Sequence, residues 1–203
     1  MEFDRVNIRN MKKVSIVMMI LLSVFCIGCK KKIHCPEFPA NLNYFPYYIG
    51  QELKFTNMQQ NIRSFVITNK ENSKAKVFNE DCPDCLCSPI SSFKTNQNQD
   101  LLEIIYAYIS ISVLDEKIVP SAMMSFDFSF LMKNNVPFRD NLGVNLLSKL
   151  KKPILYSEIE TYLPDTVLIE KENNIGVTKV VIVKGKGLVS YTTADGEEWK
   201  LVE

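Results

Sequence analysis

Beyond residue 50 the apolar positions of this chain recur mostly at a spacing of two, the period of a strand with one dry and one wet face. Leu53 and Phe55, then Phe65 and Ile67, alternate with polar neighbours across a turn at residues 58–61, and Ala75, Val77 and Asn79 suggest a short third strand. Between 104 and 114, Ile105, Ala107, Ile109, Ile111 and Val113 alternate with Tyr106, Tyr108, Ser110 and Ser112. Over 122–131, Met124, Phe126, Phe128 and Phe130 face one way and Ser125, Asp127 and Ser129 the other. Near the C-terminus, 177–183 and 188–192 flank the Gly-bearing turn Lys184-Gly185-Lys186-Gly187, and Asp195-Gly196 returns the chain into 198–202. A helix is expected over 141–150, where Leu142, Leu146, Leu147 and Leu150 fall at helical spacing and Lys151, Lys152 and Pro153 would end it. Eight or nine short strands in succession predict a mainly β fold: an antiparallel meander forming a sandwich or open barrel, with at most one or two short helices.

The first thirty residues follow a different rule. Met11-Lys12-Lys13 precede a fifteen-residue uncharged run, Val14 to Gly28, and then Cys29-Lys30-Lys31-Lys32. Lysines, an apolar core, a small residue and a cysteine make the layout of a secretory signal peptide. The run is shorter than the roughly 20 residues that span a bilayer. Cys26-Ile27-Gly28-Cys29 resembles the lipobox of bacterial lipoproteins, with Cys26 where Leu is commonest. That resemblance implies cleavage after Gly28 and a lipid on Cys29. The expected organisation is a signal peptide over 1–28, a lipidated tether over 29–43 carrying Pro36 and Pro39, and a single mainly β domain over 44–203. Residues 2–10 carry two acids and fit a signal n-region poorly, so translation is expected to start at Met11.

Charge narrows the partners. The whole chain carries a formal +1, and the segment before Cys29 holds four basic residues against two acidic ones, which leaves the mature chain near −1. This balance gives no electrostatic case for nucleic acid. The mature length of 175 residues suits one domain with a full core.

The ending of the chain supports a second resemblance. Residues 177–191 (VTKVVIVKGKGLVSY) with Asp195-Gly196-Glu197-Glu198-Trp199, and Tyr44–Thr56 with its Pro-Tyr-Tyr-Ile-Gly and Leu-Lys-Phe, look like the end and the start of many small Bacteroidetes-type lipoproteins. The resemblance implies an envelope address, with the outer membrane as the expected site and a mainly β fold. It carries no catalytic residues; Cys29 alone transfers as a functional position.

Cysteine is the first chemical candidate. With Cys29 lipidated, Cys35, Cys82, Cys85 and Cys87 remain, an even number in an exported chain. Two disulfides are the expectation in an oxidising compartment. Of the three pairings, joining Cys85 to Cys87 across one residue is disfavoured by strain, so Cys35 must reach into the 82–87 cluster. A four-cysteine zinc site is the alternative, since Cys82-Pro-Asp-Cys85 has ligand spacing, but no matching second knuckle accompanies it. A thioredoxin-like pair needs Cys-x-x-Cys opening a helix, and Cys87 and Pro89 follow too closely.

Other chemistry is sparse. His34 is the single histidine, which removes His-dependent triads and two-histidine zinc sites. Gly185-Lys186-Gly187 lacks the spacing of a phosphate loop, and Glu80, Asp81 and Asp84 lack a calcium register. No catalytic residue, metal site or cofactor is therefore assigned. Asp165-Thr166-Val167 resembles the three-residue O-glycosylation pattern of Bacteroides-like organisms, which implies Thr166 as the acceptor. Phe38, Tyr44, Phe45, Tyr47 and Tyr48 could form a sugar- or peptide-binding platform; packing of the domain rim is the plainer role.

Three functions fit these residues. The first is a membrane-anchored envelope lipoprotein with a non-enzymatic binding or structural role, its partner a protein, glycan or lipid. The second is a lipid or glycan carrier with an apolar cavity. The third is a hydrolase whose carboxylates are scattered in sequence.

Overall fold

The computed structural model describes residues 35–73, 87–97, 104–114, 118–131, 137–172 and 176–202. Eleven strands join one antiparallel sheet: β1 (Glu52–Thr56), β2 (Ile62–Ser73), β3 (Ile90–Gln97), β4 (Ile104–Leu114), β5 (Ile118–Leu131), β6 (Pro137–Asn145), β7 (Ile154–Leu155), β8 (Thr166–Glu170), β9 (Val177–Val183), β10 (Gly187–Thr193) and β11 (Glu198–Leu201). The spatial order is β6-β5-β4-β3-β2-β1-β11-β10-β9-β8, with the short β7 pairing the start of β5. The expected meander is therefore present, and it is nearly closed into a barrel. Closure of the two halves depends on β1 pairing β11, the first strand with the last.

Alternation explains why the sheet curls with one face dry. In β4, Ile105, Ala107, Ile109, Ile111 and Val113 are buried while the residues between them are not. In β5, Met124, Phe126 and Phe128 are buried, with Phe126 against Phe93 of β3 and Phe128 against Tyr191 of β10 inside the sheet. Phe55 of β1 packs edge-on to Phe65 of β2 and to Tyr191, with ring centroids 6.0 and 5.3 Å apart. Edge-to-face rings at this separation add to the gain from burial. Register shifts in β2/β3, β4/β5 and β9/β10 insert single extra residues, the device by which flat strands bend into a barrel wall. Val181 and Val183 share a face as their spacing requires, and it is the outer one; Val180 and Ile182 face the core.

The helix expected over 141–150 is not formed. Residues up to Asn145 belong to β6, paired with β5 from Phe126↔Leu142 to Met123↔Asn145, and 146–149 are turns. Gly143 weakens a helix at this point, and a whole edge of β5 is available for pairing, so tertiary pairing overrides the leucine spacing. The one described helix is α1 (Ile159–Tyr162), a single turn after a 3-10 turn at Tyr156–Glu158. Strands β3, β6, β7 and β8 are additional to those read from the pattern. The strand suggested by Ala75, Val77 and Asn79 lies outside the described residues.

Among residues 35–43, expected as tether, several pack with the barrel. Leu42 is buried in the core, and Cys35 and Phe38 pack against it. From Cys35 the chain runs across one mouth of the barrel before entering β1.

Candidate functional site

The two mouths differ in chemistry. The near mouth carries the turn at 184–186, α1, the loop 146–153 and the incoming segment 35–50. Over it, Tyr44, Phe45 and Tyr47 point inward as a plug. Phe45 packs edge-on against Phe93 and Phe126, at centroid distances of 5.0 and 6.0 Å. Tyr47 also meets Phe93, and its hydroxyl accepts the Leu188 backbone N–H at 2.5 Å. The Tyr44 hydroxyl donates to the Pro164 carbonyl at 2.5 Å, the Gly185 N–H donates to the Asn43 carbonyl, and Lys70 donates its ammonium to the Phe45 carbonyl. These bonds satisfy the backbone of an irregular segment that would otherwise bury unpaired groups. Burial raises the Tyr47 hydroxyl above the ordinary tyrosine value, with the Leu188 bond opposing it; burial and then nearby Asp165 raise Tyr44. Burial lowers the Lys70 ammonium.

Gly187 exists where it does because of Tyr47. Its φ is +90°, and a Cβ there would lie 2.0 Å from the Tyr47 hydroxyl oxygen. The plug and the β9–β10 turn are fitted to each other.

A disulfide ties the segment down. Cys35 is bonded to Cys87, with Cα atoms 5.6 Å apart, and Cys87 bridges Val113 of β4 by two backbone hydrogen bonds. Cys82 and Cys85 lie outside the described residues, as do Cys29, His34, Glu80, Asp81 and Asp84. Thr166 is the exposed first residue of β8, an edge strand. Of the aromatic set, Tyr44, Phe45 and Tyr47 are core, Phe38 packs against it and Tyr48 is exposed, so the group fills the mouth instead of forming an open platform.

The far mouth holds a polar cluster that sequence spacing did not single out. The Arg63 guanidinium lies 4.2 Å over the Trp199 ring and its Nη1 is 3.5 Å from the Tyr191 hydroxyl. Trp199 stacks on Tyr191 and donates its indole N–H to Glu197, whose other oxygen accepts the Asn57 amide. Trp199 thus packs beside the closing hairpin. An inward arginine at alternating position with Phe65 and Ile67 was the available signal. Glu197 is engaged by Asn57 and Trp199, and Asp140 by Lys171. Among the described residues no group of three His, Cys, Asp or Glu side chains is arranged to hold a metal.

A loop also lies beside the near mouth. Residues 146–153 leave β6, and a groove of about 230 Å³ is lined there by Val119, Pro120, Leu147, Leu150, Lys151 and Lys152 with Pro153. No helix among the described residues is long and apolar enough to cross a membrane.

Compared with protein-family models, with curated proteins and with solved structures, the chain matches none.

Proposed function

We propose that this protein is a lipid-anchored lipoprotein of the cell envelope, held by Cys29 and serving a non-enzymatic binding or structural role through its barrel. The observation that carries the reading is the Met11–Cys29 segment, with lysines, apolar run, Gly28 and cysteine in the order that export and lipidation require. Two features support it. A Cys35–Cys87 disulfide suits an oxidising compartment. Within the described residues, aromatic and aliphatic side chains from both halves of the sheet pack across the barrel interior, which favours a rigid scaffold over a carrier. Outer-membrane placement and a protein or glycan partner belong to the same proposal.

The test is fractionation of the envelope. Cys29→Ala should leave the protein unprocessed or soluble while the wild type partitions with membranes. A Cys29→Ala protein that fractionates and migrates as wild type does would defeat the reading.

A further inference from the structure

We infer that the loop 146–153 and the adjoining Leu155 rest on the anionic headgroups of the membrane that holds the Cys29 lipid, with Lys151 and Lys152 as the phosphate contacts. The inference rests on the lipidation of Cys29 and adds to it an orientation and a lipid-contacting surface.

Chain length sets the reach. Five residues lie between Cys29 and Cys35, so six backbone steps of at most about 3.6 Å span no more than roughly 22 Å. Cys35 is fixed to Cys87, so this leash is attached to one particular point of the barrel. From Cys87 the neighbouring strands are β4 at Val113, then β5 at Ile118 and then β7 at Leu155, through Leu114↔Ile118 and Ile118↔Leu155. Three strand spacings of about 4.8 Å place Leu155 roughly 15 Å from Cys87. A bilayer surface at the end of the leash is therefore within range of this tip. The far mouth is at the opposite ends of the same strands.

The tip has the composition that such contact needs. From Asn141 to Tyr156 the chain carries Lys149, Lys151 and Lys152 and no acidic residue. Leu150 and Leu155 are exposed at 38 and 46%. Among the described residues the acidic side chains on neighbouring elements are Glu37, Glu158 and Glu160, the last engaged by the Asn41 amide; Asp115 and Glu116, between β4 and β5, lie outside them. Lysines flanking an exposed leucine match a headgroup layer, where the ammonium meets phosphate and the alkyl stem lies on apolar surface. The groove between Val119, Leu147, Leu150 and Lys151–Lys152 would take the headgroup itself.

The experiment uses the full-length lipidated protein, purified from envelopes and placed in vesicles of phosphatidylcholine with a minority of phosphatidylglycerol, the acyl chains brominated or plain. Native Trp199, the single tryptophan, lies buried at the far mouth and serves as the constant background. In Leu150→Trp the added emission should be quenched by brominated lipid; in Met58→Trp, at the far-mouth turn, it should not. Lys151→Glu with Lys152→Glu in the Leu150→Trp protein should lower that quenching by about twofold or more, while the protein stays on the vesicles through its lipid. Equal quenching at 150 and 58, or quenching indifferent to both the lysines and phosphatidylglycerol, would overturn the inference and leave lipidation intact. Mass spectrometry showing Cys29 without lipid would overturn the proposed function as well.

Discussion

Lys171 Nζ lies 2.6 Å from Asp140 Oδ1, and this pair joins the two edges of the sheet. Asp140 belongs to β6 and Lys171 directly follows β8, the two ends of the strand order. The carboxylate is 7% exposed; Oδ1 also accepts the Asn141 backbone N–H, and Oδ2 is buried with no hydrogen-bond partner among the described residues. A charge so placed depends on its counterion, because leaving it alone would cost a large desolvation penalty.

Lys171→Met should therefore destabilise the protein by about 1–3 kcal/mol, less than for a fully buried pair because the lysine is partly exposed. Adding Asp140→Asn to that variant should recover part of the loss, which a double-mutant cycle in urea would measure. An unchanged midpoint in Lys171→Met would remove the pair from the account of closure.

The plug makes a second prediction. Tyr47→Phe removes the acceptor for the Leu188 N–H and should cost about 1–3 kcal/mol. Gly187→Ala should cost at least as much, since the new methyl collides with the Tyr47 hydroxyl at a backbone conformation L residues avoid. A Gly187→Ala protein that melts with the wild type would show the fit to be loose.

Alkaline stability follows from the same burial. Tyr44 and Tyr47 hold their protons above the ordinary value of 10.0, whereas the unfolded chain releases them near it. Their contribution is complete below about pH 10 and is lost as pH rises beyond it, at about 1.4 kcal/mol per pH unit for each tyrosine. Tyr47→Phe should reduce that slope by one tyrosine's share in urea titrations between pH 9 and 11. A slope that the variant does not change would contradict the assignment.

The strand pattern was legible where a face repeats without interruption. Ile105 to Val113 and Met124 to Phe128 alternate over long runs, and the Gly and Asp-Gly turns mark both C-terminal hairpins. Strand β3, with serine, threonine and a single phenylalanine inward, and β6, with Asp140 and Gly143, give no such run; pairing with longer neighbours forms them. The leucines of 141–150 misled because a spacing of 3.6 within ten residues cannot show where a strand ends and a turn begins. Of the candidate sites, the reach of Cys35 into the 82–87 cluster could be read from parity and ring strain. The Asp140–Lys171 pair could not, because it joins residues that only barrel closure brings together.

Phe128 tests the core itself. It is fully buried, beside Phe126 and against Tyr191 across the barrel. Phe128→Ala should cost about 3–5 kcal/mol and Phe128→Asp more, by placing a lone charge among rings. Wild-type melting of the aspartate variant would exclude this packing.

Disulfide mapping tests the staple. Non-reducing peptides should show Cys35 joined to Cys87, and the two remaining cysteines, Cys82 and Cys85, joined to each other without metal. Reducing the Cys35–Cys87 bond, with a sequence separation of 52, should cost up to about 4 kcal/mol in the chain-entropy model. Free thiols at 82 and 85, or stoichiometric zinc, would favour the metal site instead.

The central claim is that this barrel is tied to a membrane through Cys29, and the most direct measurement is the mass of the N-terminal peptide of the mature protein isolated from envelopes. The expected mass is that of a chain beginning at Cys29 with a diacylglycerol thioether on its sulfur, the mass of residues 1–28 being absent. A mature chain that retains those residues, or that begins at an unmodified Cys29, would contradict it.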